Sequence, residues 1–137
     1  MADIFTKAER SAVMARIRGT GNRATELRLI ALMRTHGITG WRRGSRLPVR
    51  PDFVFGTRRL AVFVDGCFWH GCPRHYARPK SRRAFWDAKI AANRARDRKV
   101  ARELRARGWT VLRIWEHALR PALAARTLAR LRRAGAP

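Results

Sequence analysis

The pattern of apolar and polar positions divides the chain into helical and extended segments. Thr6 to about Arg18 reads as a helix, with Thr6 and Glu9 spaced as a capping box, and Gly19-Thr20-Gly21 breaks it. A second helix runs from about Ala24 to His36 and stops at Gly37, with Leu27, Ile30, Ala31 and Leu32 offering a face to bury. Residues 38 to 49 are irregular, with room for a short edge strand near Trp41. Asp52-Phe53-Val54-Phe55 and Leu60-Ala61-Val62-Phe63-Val64 read as strands joined by a hairpin turn over Gly56-Thr57-Arg58-Arg59. The second run is almost wholly apolar, which predicts a central strand covered on both faces. A long helix follows from Ser81 or Arg82 to about Arg107, its inner side drawn from Phe85, Ala88, Ala92, Val100 and Leu104, and Gly108 ends it. Trp109 to Trp115 is a further strand, and Pro121 to Arg132 a last helix. This order predicts an α/β or α+β sandwich, a small mixed β-sheet flanked by helices.

The length, 137 residues, fits a single domain spanning 1–137, and an apolar share of 46% excludes a wholly disordered chain. No apolar run approaches the ~18 residues of a membrane span. The first residues lack the basic-then-apolar pattern of a secretory signal. A cytoplasmic protein without a membrane partner is therefore expected, and in that compartment two cysteines bind metal or stay reduced more often than they pair.

Charge narrows the function. Thirty-two Lys and Arg against nine Asp and Glu leave a formal charge of +23. A polyanion is the natural partner, because neutralising phosphates releases counterions, and arginine forks suit phosphates and guanine edges. The bland alternative is a codon bias towards arginine on a solvated surface.

Scarce residues crowd into Asp65-Gly66-Cys67-Phe68-Trp69-His70-Gly71-Cys72-Pro73-Arg74-His75, which holds both cysteines and two of the four histidines. Cys67, Cys72 and His75, with His117 at the end of the last strand, make a complete tetrahedral zinc set of the closed, structural kind. Such an ion would pin the loop to the C-terminal strand. The spacing is not that of a standard finger, and two reduced core cysteines beside a surface histidine is the competing reading.

Asp52 opens one strand and Asp65 closes its neighbour, so a hairpin pairing can bring the two carboxylates to one end of the sheet. Oxygen ligands there suit magnesium, and a solvated turn acid or an arginine salt bridge is the simpler alternative for each. His70 is the loop histidine left over by the zinc set, able to move a proton near neutrality or to serve as a structural histidine. Phe68 and Trp69, if exposed, can stack on or wedge between bases; otherwise they cover the metal site as a small apolar core.

Taken together, Arg50-Pro51-Asp52-Phe53-Val54, Gly66-Cys67-Phe68-Trp69-His70, Phe85-Trp86, Lys89-Ile90, Asn93, Arg96-Asp97-Arg98, Gly108-Trp109 and Trp115-Glu116 resemble the very short patch repair (Vsr-type) DNA mismatch endonucleases. The likeness runs from about Thr6 to Leu119 with order and spacing kept. It implies the restriction-endonuclease-like PD-(D/E)xK fold and magnesium-dependent nicking of one strand beside a T:G mismatch of the kind left by 5-methylcytosine deamination. By the resemblance, Asp52 and the backbone carbonyl of Val64 bind magnesium. Glu26 lies near its water shell, and His70 is the acid/base. Phe68 and Trp69 intercalate, and Met14, in an N-terminal DNA-contacting arm over residues 1–20, wedges from the other groove. Lys89 and Asn93 fall among the DNA-contacting positions. The zinc set maps onto Cys67, Cys72, His75 and His117. Mismatched double-stranded DNA is the implied partner, bound by a monomer associated with the nucleoid, with mismatch-repair proteins as further candidates. The chain departs from the family's best-known form in carrying Asp65 where that form has a second histidine, which opens the option of a second magnesium. Zinc-ligand types and one loop spacing differ too, and Cys67 stands where the superfamily lysine would be. A restriction-type or structure-specific nuclease of the same fold is the alternative enzyme, and a non-catalytic zinc-stabilised DNA-binding protein the alternative without chemistry.

Overall fold

The computed structural model describes residues 23–43, 47 and 49–136. The expected first helix, with its capping box, Met14 and the DNA-contacting arm, lies outside the described residues.

Helix α1 spans Arg23–Thr35 and strand β1 Arg42–Arg43, followed by β2 at Phe53–Phe55 and β3 at Leu60–Asp65. Helix α2 covers Arg83–Ala106, β4 Thr110–Trp115 and α3 Ala124–Ala134. The sheet order is β1-β2-β3-β4, antiparallel except for the parallel pair β3 and β4. A tight 3-10 turn at Gly56–Arg58 makes the β2–β3 hairpin, and α2 is the crossover that parallel strands require. The mixed α/β architecture, the edge strand beside Trp41 and the central place of the apolar run follow the hydrophobic pattern.

Alternation along each strand sends Phe53, Phe55, Leu60, Val62, Val64 and Ile114 to one face, where Leu29, Ile30 and Met33 of α1 and Leu128 and Leu131 of α3 close over them. Burying each such side chain stabilises the fold by roughly 1.5–3 kcal/mol relative to leaving it in water. Helix α1 buries Ile30 as expected but departs from the expected face at Leu27. Leu29 and Met33 are fully buried, while Leu27 is 48% exposed. Helix α2 covers the opposite face; Leu104 is buried as expected, and the departure lies in the helix's first half. Trp86, Ile90, Asn93, Ala101 and Leu104 are buried, whereas Phe85 is 46% exposed and Ala88 and Ala92 face solvent. The inner stripe includes a polar residue because Asn93 bonds into the loop after β3, as described next. Among the described residues, no helix is long and apolar enough to cross a membrane.

Candidate active site

Because β3 and β4 run parallel with Asp65 beside Trp115, both strands deliver their carboxyl ends to one edge of the sheet. Ligand sites in α/β sheets gather at such ends. Cys67 and His117 each lie two residues beyond the Asp65–Trp115 pair, so they emerge side by side. The Cys67 sulfur is 3.3 Å from His117 Nδ1. Cys72 Sγ stands 3.6 Å from the same nitrogen and 3.7 Å from His75 Nδ1. In a tetrahedral zinc site, sulfur and nitrogen ligands at standard bond lengths are about 3.6 Å apart. One donor atom from each of Cys67, Cys72, His75 and His117 lies within 4.8 Å of the others. Burial pushes the Cys67 thiol up to about 12, opposed by the His117 backbone and reinforced by Cys72. Burial, followed by the charges of His75 and neighbouring arginines, lowers the His117 pKa and so favours the neutral imidazole. Glu116 accepts a 2.7 Å hydrogen bond from the Cys67 amide and fastens the start of the loop to the end of β4.

The loop is tied down internally and from α2. Amides of His70, Gly71 and Cys72 donate to the carbonyls of Gly66, Phe68 and Cys67. Gly71 has φ +61°, and a Cβ there would lie 2.7 Å from Ile90 Cγ2, so the loop approaches α2 as closely as only glycine permits. One helical turn on, Asn93 Nδ2 donates to the Trp69 carbonyl at 2.9 Å. A further turn brings Asp97 Oδ2 to 2.5 Å from His70 Nδ1. Ile90, Asn93 and Asp97, spaced three and four apart, thus form one ridge that sets the loop's position. Asn93, expected among the DNA-contacting residues, is buried and braces the loop; Lys89 is exposed.

Three carboxylates meet near the ends of β2 and β3. Asp52 Oδ2 accepts the Val64 amide at 2.7 Å. In an extended strand a residue's N–H and C=O share a side, so the Val64 carbonyl faces the same edge as Asp52. The Asp52 carboxyl is pushed up to about 7, first by burial, against the pull of the Val64 amide, with Glu26 and Asp65 adding to the rise. Glu26 also holds Arg43 of the edge strand at 3.0 Å. Asp65 is buried and raised for that reason, offset by Arg113 and His70. Its Oδ1 lies 3.8 Å from His70 Nε2 and accepts from Arg113 Nη1 at 2.9 Å. For His70, burial opposes the charged form, but the Asp97 hydrogen bond and the Asp65 charge outweigh it and raise the pKa. Carboxyl groups crowded together suit a cation, and an imidazole with one nitrogen fixed on a carboxylate suits proton transfer.

Phe68 and Trp69 are half-buried and packed edge-on to each other, 5.2 Å between ring centres. Both also meet Trp86, at 5.4 and 5.9 Å. They form an aromatic shelf on the start of α2, with the Trp69 indole N–H buried and without a hydrogen-bond partner.

The model of the family described as DNA mismatch endonuclease Vsr matches residues 2–77. DNA mismatch endonuclease Vsr of Escherichia coli (strain K12) is 41% identical over 121 residues, which cover 88% of this chain and 77% of that protein. The chain belongs to the Vsr family. It is accordingly a DNA endonuclease. Type II nicking enzyme V.XorIIP of Xanthomonas oryzae pv. oryzae is 39% identical over 120 residues, 85% of each chain. Type II nicking enzyme V.NaeI of Lentzea aerocolonigenes is 49% identical over 76 residues, 56% of this chain and 46% of that protein, so this match spans about half of V.NaeI.

In this Vsr-family chain, Asp52, Val64, Asp65, Glu26 and His70 converge as a group, and the two cysteines and two histidines as another. Sequence reasoning missed the contacts of Asp97 and Arg113. Asp97 continues the ridge of Ile90 and Asn93, a usable signal, but it is embedded in Arg94–Lys99 and reads as part of a solvated charged face. Arg113 was the lone charge in an apolar strand, one diagonal step across the β3–β4 register from Asp65.

Proposed function

We propose that this protein nicks one strand of double-stranded DNA at T:G mismatches by magnesium-dependent hydrolysis, on a PD-(D/E)xK-type scaffold fastened by structural zinc. The observation that carries this reading is that Asp65 links the two groups at the carboxyl edge of a sheet in a +23 chain: its charge acts on the Asp52 carboxyl, and its Oδ1 lies 3.8 Å from His70 Nε2.

The Asp52 carboxylate and the Val64 carbonyl would hold magnesium, with Glu26 beside its water shell; the crowding that pushes Asp52 up to about 7 marks a place where added positive charge is favourable. Bound there, magnesium would supply Lewis-acid polarisation of the scissile phosphate. His70 moves the proton. Asp97 holds Nδ1, so Nε2 is the working nitrogen, and it is buried with no hydrogen-bond partner. Such proton transfer contributes typically ~10²–10⁴-fold in rate. Phe68 and Trp69 leave their shelf on Trp86 to insert at the mismatch, at a cost of a few kcal/mol of base unstacking. Exposed Lys89 and the arginines of α2 grip the backbone, and Met14 belongs to the same DNA-binding set. Zinc on Cys67, Cys72, His75 and His117 would tie the loop carrying these groups to β4, which the near-tetrahedral donor spacing supports.

Nicking of labelled duplexes carrying T:G, each other mismatch or no mismatch, with and without magnesium, tests the reading. The expected result is a single-strand nick at T:G that needs magnesium. Equal cutting of matched duplex would make this a nuclease with another target, and salt-sensitive binding with no product under any condition would make it a DNA-binding protein alone.

A further inference from the structure

Asp65, His70 and Asp97 each offer a ligand atom within 4.8 Å of the others, all from side chains at least largely buried. Two carboxylates and an imidazole at that spacing are a sufficient donor set for a divalent cation. A guanidinium is built into the same cluster. Arg113 Nη1 donates to Asp65 Oδ1 at 2.9 Å, and Nη2 to the Asp97 carbonyl oxygen at 3.3 Å, with Asp97 Oδ1 3.7 Å away. Asp97 returns to His70 Nδ1, and His70 Nε2 lies 3.8 Å from Asp65. The four side chains close a ring in which the two negative charges alternate with imidazole and guanidinium.

Arg113 is fixed there by more than its carboxylates. It sits beside Phe63 in the β3–β4 register, on the same face of the sheet, and its guanidinium lies 4.3 Å from the Phe63 ring centre. Its own carbonyl accepts from Arg130 of α3 at 3.0 Å. A guanidinium held this way repels a cation placed among the same carboxylates.

We infer that Arg113 takes the place of a second divalent cation: it is the permanent counter-ion of Asp65 and Asp97, and it confines metal to the Asp52–Val64 edge. Through Asp97 it also sets the position of His70, so it is a positioning residue. The inference rests on the proposed Asp52 site only for where the remaining ion binds.

Manganese(II) binding by the full chain, followed as loss of the free-ion electron paramagnetic resonance signal, tests it. Wild type and Asp65→Asn should bind the same number of ions. Arg113→Leu should bind one more, Arg113→Lys should keep the wild-type number, and Arg113→Leu/Asp65→Asn should lose the added ion. Loss of an ion in Asp65→Asn alone would overturn the inference, as would an Arg113→Leu protein with native near-ultraviolet circular dichroism that gains none. If Arg113→Leu does not fold, Arg113→Gln replaces it, and the wild-type comparison with Asp65→Asn still decides. Asp52→Asn in the wild-type background reports on the other site separately. If it loses no ion, the magnesium reading fails while the Arg113 comparison stands.

Discussion

Replacing Asp97 with Asn keeps the shape of the side chain and removes the charge that holds His70. In the native site Asp97 Oδ2 is 2.5 Å from Nδ1, and the two side chains are 18% and 9% exposed. A charge-assisted hydrogen bond in such surroundings contributes about 1.5–3 kcal/mol, which corresponds to roughly 10- to 150-fold in rate if it is needed in the transition state. Among the described residues, the other anion facing the ring is Asp65, 3.8 Å from Nε2. Single-turnover nicking by Asp97→Asn should therefore slow about 10- to 100-fold at saturating enzyme, with DNA affinity little changed. The pH profile carries a second readout. Asp97 raises the His70 pKa against the effect of burial, so removing it lets that pKa fall. Whichever limb of the rate profile His70 sets should move to lower pH. A variant that cuts at near the wild-type rate with an unmoved profile would refute the claim that Asp97 sets the chemistry of His70.

Much of this arrangement was legible in the residues and some was hidden for physical reasons. The apolar run Leu60–Val64 announced a central strand because a strand covered on both faces has no polar alternation to show. The parallel pairing of β3 with β4, which brings His117 to the cysteines, was implied by the long intervening helix. The inner face of α2 was misread because Asn93 and Asp97 occupy it: polar residues that satisfy a loop's backbone and an imidazole look, in a string of arginines, like a solvated surface. In α1 the mistake had a different origin, since Leu27 and Leu29 are equally apolar and only packing chooses between them. The Asp65–Arg113 pair joins residues 48 apart in the chain, and no local pattern marks it.

Asp52→Asn should abolish magnesium-dependent nicking while DNA binding holds or tightens, as measured by gel shift. The same substitution should stabilise the metal-free protein at pH 8. The folded pKa of Asp52 is raised from 3.8 to about 7, so the folded state is favoured below that window and loses this advantage as pH rises through it. The expected gain is about 1–3 kcal/mol, read as a higher Tm at pH 8 but not at pH 4. Removing zinc with a strong chelator, or replacing Cys72 with Ser, should cost several kcal/mol and lower Tm by roughly 10 °C or more, with zinc recovered by elemental analysis of the native protein alone. An unchanged Tm would reduce the two cysteines to core residues. Gly71→Ala puts a methyl group 2.7 Å from Ile90 Cγ2 at φ +61°, and should destabilise the protein by about 1–3 kcal/mol in denaturant melts. Ile90→Leu, which removes the Cγ2 branch at similar volume, should recover part of the loss in the same chain.

The central claim is that Asp52 and His70 act together on one phosphate, and a double-variant cycle on the single-turnover nicking rate of a T:G duplex tests it most directly. Asp52→Asn, His70→Ala and the pair should all retain the fold and bind the duplex. The pair should be no slower than the worse single variant, because losing either group already disables the shared step. Full additivity of the two losses, or a T:G nick made by either single variant at the native rate, would contradict it.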